Sequence, residues 1–138
     1  MFELHGNYSL DVLDDVLLIH AFDNWNLELS LRFRQQLFRV IDARLQGKRW
    51  GCVVVLHNWF PAFECIEILA KNNQEALAKG MVCEGFVPCD EASSRLLTSM
   101  ILPPDTESFH RRRFVDERSA LAWAHKFVQD LEQELTSH

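Results

Sequence analysis

The sequence predicts one α/β domain spanning residues 1–138, a single mixed, mostly parallel five-stranded sheet in the order β-β-α-β-α-β-α-β-α, covered by helices. Three observations predict it. Val53, Val54, Val55 and Leu56 form an unbroken aliphatic run that stops at His57, Asn58, Trp59, Phe60 and Pro61. A run this short and rich in β-branched side chains reads as a strand buried on both faces of a sheet. Ahead of it, Leu29, Phe33, Leu37, Ile41 and Leu45 recur at helical spacing. Ahead of that helix lies another aliphatic run, Val16 to Ile19. Strand, helix and strand in that order demand a parallel, right-handed crossover.

Composition narrows the class. A chain of 138 residues is large enough to bury a core without disulfide staples, and 48% hydrophobic with 25% charged residues is ordinary for a globular domain. The formal net charge of -6 argues against a nucleic-acid binder, which carries a basic face. The apolar stretches fall short of the ~18 residues of a membrane span, and MFELHGNYSLDVLDD has no basic signal-peptide start. Cys52, Cys65, Cys83 and Cys89 form no C-x-x-C pair, so reduced thiols in a cytoplasmic protein are the expectation.

The elements follow in order. Tyr8–Leu13 and Val16–Phe22 make a hairpin through Asp14-Asp15. Asp23, Asn24 and Asn26 are candidate N-caps for a helix from about Leu27 to Leu45, with Gly47 just past its end. The central strand runs from Trp50 to His57. A second helix starts near Pro61 and ends at Lys79-Gly80, burying Phe63, Ile66, Leu69, Ala70 and Leu77. Met81–Val87 is a strand, and Asp90 or Ser93 opens a short helix containing Leu96, Leu97, Met100 and Ile101. After a loop at 103–109, Arg111–Val115 is a last short strand whose arginines solvate an edge. Asp116 caps a final helix that presents Ala120, Trp123, Ala124, Phe127, Leu131 and Leu135.

That order, with the hairpin start and the closing FVDERSALAWAHKF at 114–127, resembles the STAS superfamily, and within it the SpoIIAA-like (anti-sigma-factor-antagonist-like) branch. The resemblance implies a regulatory binding domain. It also implies a serine at the start of the helix after the third strand, where a partner kinase acts. Here that position reads Asn58-Trp59-Phe60-Pro61-Ala62, and no Ser or Thr occurs from His57 to Ala92. The charge switch of such a serine is therefore missing, and only the scaffold and its binding surface carry over.

If the second, third and fourth strands are parallel, their carboxyl ends share one rim, the usual ligand side of an α/β sheet. The rim gathers Asp23, Asn24 and Trp25, then His57, Asn58, Trp59 and Phe60, then Cys89 and Asp90. Trp25, Trp59 and Phe60 would offer apolar contact to a protein partner or a nonpolar small molecule, with Asn24, His57 and Asn58 supplying directional hydrogen bonds. The plainer alternative is that the two tryptophans lie over the core as lids. An enzymatic reading, with Cys89 as nucleophile, His57 as base and Asp23 as orienter of a hydrolase or transferase, finds no supporting motif around Cys89. The six histidines show no metal-ligand spacing, and no Gly-rich loop accompanies Arg111-Arg112-Arg113. The expectation is thus a non-enzymatic, STAS-like binding domain without metal or cofactor. A carrier of lipid-like molecules and a self-associating homodimer stand as alternatives.

Overall fold

The computed structural model describes residues 3–5 and 7–136. Its strands are β1 (Glu3–His5), β2 (Tyr8–Leu13), β3 (Val16–Trp25), β4 (Trp50–Pro61), β5 (Met81–Val87) and β6 (His110–Arg113). The helices are α1 (Leu27–Arg44), α2 (Ile66–Ala78), α3 (Glu91–Leu96) and α4 (Glu117–Thr136). All five expected strands are present, and the short β1 adds a sixth. Spatial order equals chain order, with the β1–β2 and β2–β3 pairs antiparallel and β3 through β6 parallel. No helix among the described residues is long and apolar enough to cross a membrane.

The helices start where side chains can satisfy their free amides. Asn26 Oδ1 accepts from the Leu29 amide at 2.8 Å, Asp90 forms a reciprocal box with Ser93, and Asp116 Oδ1 accepts from Ser119 at 2.8 Å. Period-two alternation then divides the sheet into two faces. Leu17, Ile19, Cys52 and Leu56 join Phe33, Leu37, Ile41 and Leu69 of α1 and α2 in the larger core. Val16, Leu18, Val53 and Val55 meet Ala120, Ala124 and Val128 of α4 in the smaller one. Small residues bring α4 close: a Cβ added to Gly51 would meet Cys83 Sγ at 2.9 Å and Ala124 Cβ at 3.5 Å.

Several boundaries differ from the sequence reading. The second strand of the hairpin does not stop at Phe22, and the central strand does not stop at His57. Both continue, with Asn24 opposite Phe60 and Trp25 opposite Pro61. Pro61 therefore ends a strand, where its missing N–H does no harm, and does not open a helix. A 3-10 turn at Phe63–Cys65 precedes α2, and Phe63, expected in the core, is 82% exposed. The segment after α3 winds into a π turn, Leu97–Ile101, and the last strand ends at Arg113.

The paired extensions contain a bulge. Between the matched pairs Phe22–His57 and Asn24–Phe60, β3 supplies one residue, Asp23, and β4 supplies Asn58 and Trp59. Asp23 (φ 61°) and Asn58 (φ 53°) both adopt the left-handed conformation, which Asp and Asn tolerate better than branched residues. The extra residue inverts the alternation of β4, so that Leu56 and Trp59, three apart, share a face. Asn58→Gly is expected to leave stability within a few tenths of a kcal/mol. Asn58→Val should cost about 1–2 kcal/mol in urea denaturation, and equal midpoints for the two variants would contradict this account of the bulge.

Candidate functional site

Trp25 follows the regular alternation of Leu17, Ile19 and Ala21, and the inversion of β4 brings Trp59 inward beside it. Trp25 and Trp59 are 2% and 6% exposed, and their rings meet edge to face at 5.8 Å. Trp25 also packs on Phe33 at 4.9 Å and on Tyr8 at 6.0 Å. Trp25, Trp59 and Phe33, with Leu37, Ile41, Leu69 and Ala76, line an interior cavity of about 70 Å³ between the sheet and α1 and α2. One side is closed by Leu97, Ile101 and Leu102 of the π turn and its end. A single water needs roughly 10–15 Å³, so the space holds several waters or one small ring.

Asn72, Asn73, Glu84 and the Trp59 indole N–H interrupt this apolar lining, and Asn73 Nδ2 already donates to the Leu69 carbonyl at 2.9 Å. Asn72, 3% exposed, accepts through Oδ1 from Arg34 Nη1 at 2.7 Å, and Arg34 is fixed in turn by Glu75. A guanidinium only donates, which fixes the amide orientation and leaves Asn72 Nδ2 as the free donor. Asn72 Nδ2, Trp59 Nε1 and Glu84 Oε1 are all buried without a hydrogen-bond partner among the described residues. Two donors and a carboxyl group thus belong to one cavity lining.

Glu84 is the unusual member. It lies on β5 opposite Arg111 of β6 and is 3% exposed. Burial pushes its carboxyl group up from an ordinary value near 4.5 to about 8, against the opposing pull of the Arg111 charge. Arg111 cannot turn fully toward it, because Nη1 donates to the carbonyls of Thr98 and Leu102 at 2.9 and 3.2 Å and so ties the π turn to β6. At neutral pH Glu84 is largely a neutral acid, able to donate as well as accept. The neighbouring Cys52 thiol is pushed well above its ordinary range by burial first and by Glu84 second. It packs as a small hydrophobe.

The other residues expected along the rim are distributed differently. Asn24, Asn58 and Phe60 are exposed, Phe60 at 70%. His57 is exposed on the α4 face, stacked on Phe22 with ring centroids 4.5 Å apart and hydrogen-bonded to His20 at 2.7 Å. Cys89 is exposed and contacts Ser93 Oγ at 3.5 Å and the Trp59 carbonyl at 3.9 Å. The structure therefore joins Trp25 to Trp59 and separates both from His57. Glu84 and Asn72 complete the cavity and were not singled out from the sequence. Glu84 left a signal, as the lone charge in the otherwise apolar strand MVCEGFV, whereas Asn72 sits in the polar stretch KNNQE and left none.

This arrangement, a mixed sheet in chain order with four helices, defines a SpoIIAA-like α/β fold. A similar solved structure is that of an uncharacterized protein of the DUF3478 family with a SpoIIAA-like fold from Shewanella loihica PV-4. It matches with a TM-score of 0.59 and 12% identity over 90% of this chain and 95% of that one. No family model and no curated protein matches the sequence.

Glu84 makes stability depend on pH. Its folded-state value lies above the unfolded one, so the stabilisation is complete below about 4.5 and is lost as pH rises through about 8. Thermal unfolding between pH 5 and 8 should show a loss approaching 1.4 kcal/mol per pH unit from this one group. Glu84→Gln should flatten that slope, and an unchanged slope in the variant would rule out Glu84 as its source.

Proposed function

We propose that the protein is a small-molecule-binding domain of the SpoIIAA-like type that takes an uncharged, largely nonpolar ligand carrying a carbonyl or similar oxygen. One observation carries the reading: three buried polar atoms without partners border one apolar cavity. Each such atom costs about 1–3 kcal/mol when left unmade. A ligand oxygen accepting from Trp59 Nε1 or Asn72 Nδ2 recovers that cost, while its hydrocarbon part lies among Leu37, Ile41, Leu69 and the two indoles. Glu84, largely neutral below pH 8, adds a donor without placing a charge in the cavity. Because no serine occupies the start of α2 or the segment before it, occupancy of the cavity, and not phosphorylation there, sets the state of the domain.

A second reading is favoured by the apolar groups left outside. Phe60 and Phe63 are 70% and 82% exposed, with Leu27 and Leu31 of α1 at 39% and 47%. Side chains of this size at the carboxyl end of the sheet suit contact with a protein partner.

Cyclohexanone and cyclohexane separate polar anchoring from simple space filling. Intrinsic tryptophan fluorescence should shift on titration with cyclohexanone, with cyclohexane binding about tenfold more weakly for want of one hydrogen bond. Ala76→Leu, which places a larger side chain in the cavity, should abolish the shift while circular dichroism stays unchanged. Equal responses from wild type and variant, or none from either, would refute cavity binding.

A further inference from the structure

On the sheet face opposite the cavity, at the amino end of α4, three ionisable side chains stand in line. Glu117 Oε1 lies 2.6 Å from His20 Nε2, and His20 Nδ1 lies 2.7 Å from His57 Nε2. Chemistry assigns the protons. An ionised carboxylate only accepts, so His20 Nε2 carries a hydrogen toward Glu117. In the tautomer where His20 Nδ1 accepts, His57 Nε2 donates to it. One nitrogen remains, His57 Nδ1, with its lone pair on an exposed ring. That ring is held between neighbours, near-parallel to Phe22 (11°) and to His20 (13°).

We propose that His57 Nδ1 is a catalytic nucleophile toward activated acyl compounds, aryl esters or thioesters, with His20 and Glu117 as positioning residues that receive its proton. Nδ1 attacks the acyl carbon: an N–C bond forms and the bond to oxygen or sulfur breaks, its electron pair leaving with the aryloxide or thiolate. The acylated ring then releases its Nε2 proton to His20 Nδ1, where the positive charge lies beside Glu117. Water attacks the acyl carbon and gives one proton to solvent. His20 returns the shared proton to His57 Nε2, and neutral imidazole departs with the N–C electron pair, leaving a carboxylic acid.

The electrostatics suit that role. Burial first, and then the adjacent His20, hold the His57 pKa below its ordinary value near 6.5, and Glu117 opposes them. The free base is therefore the resting form at neutral pH. Other polar groups near this face are Ser9, opposite His20 on β2, Asp11 two residues further along that strand, and Asp116 and Arg118 flanking Glu117. From β4 and β5 the same face presents aliphatic Val53, Val55 and Val87. The chain of contacts uses no residue of the cavity and is independent of what the cavity binds.

The test is hydrolysis of 4-nitrophenyl acetate by the full chain, followed by nitrophenolate absorbance. Wild type should exceed equimolar free imidazole by at least ~10-fold, and His57→Ala should lose that excess. Glu117→Gln should slow the reaction ~3–10-fold and move its acid limb to lower pH, because the carboxylate that raises the His57 pKa is gone. His20→Ala should slow it to a similar extent. Nitrogen-15 NMR without substrate should place the hydrogen of His57 on Nε2. Wild-type rates in His57→Ala, an unshifted pH profile in Glu117→Gln, or a hydrogen on Nδ1 of His57 would each overturn the proposal.

Discussion

The bulge at Asp23 and Asn58 is the constraint on which the rest of the molecule depends. It places two non-glycine residues in the left-handed region, a modest cost because Asp and Asn adopt it more readily than other side chains. What it secures is larger. Each tryptophan buries roughly 150–250 Å², which at ~25 cal/mol per Å² amounts to about 4–6 kcal/mol. Strict alternation from Leu56 would have sent Trp59 to the α4 face beside His57 and left Trp25 without its edge-to-face partner. One extra residue instead brings Trp59 to the α1 side, where Trp25 already lies.

The two faces then acquire different characters from the size of the residues that cover them. Ala120, Ala124 and Val128 allow α4 to lie close to Gly51, and the centre of that core is built of small and aliphatic side chains. The opposite face is filled by aromatic and long aliphatic side chains whose shapes leave a gap. Length matters as well as size. The α4 helix begins at Glu117, level with His20, so Phe22 and His57 on the continuing strands extend past its end toward solvent. Extending β3 and β4 beyond the helix thus creates the inner aromatic wall on one side and the imidazole chain on the other.

The local parts of this structure were legible in the sequence because local forces set them. The buried strands declared themselves as aliphatic runs, the α1 stripe and the Ala-rich face of α4 by their spacing, and the caps at Asn26, Asp90 and Asp116 by chemistry at helix starts. The strand extensions were not legible, since Asp23-Asn24 and Asn58-Trp59 read as lying beyond the strand ends and Pro61 as a helix start. Only the pairing of two distant segments makes them strand. The rim site depended on the same non-local register. Its residues do lie at neighbouring strand ends, but one inserted residue decides which of them face inward, and no periodicity within either segment reports it. His20 and Glu117 lie nearly a hundred positions apart, so their contact left no trace in the local pattern.

The energetics of the cavity argue for its use. Interiors pack to the density of organic crystals, and a void of about 70 Å³ forgoes on the order of 2 kcal/mol of packing. Three unpaired polar atoms on its wall add about 1–3 kcal/mol each, against a total stability of roughly 5–15 kcal/mol for a domain. Leucine in place of Asn72 or methionine in place of Glu84 would remove most of that cost at similar volume. Water bound to these atoms would lower the cost in the empty state, and under the proposed function it would select among ligands. A hydrocarbon that expels the water leaves the donors bare, whereas a molecule with an oxygen at one end keeps their bonds and fills the apolar space. On the binding proposed above, the same polar atoms that burden the folded chain would discriminate between two molecules of equal size.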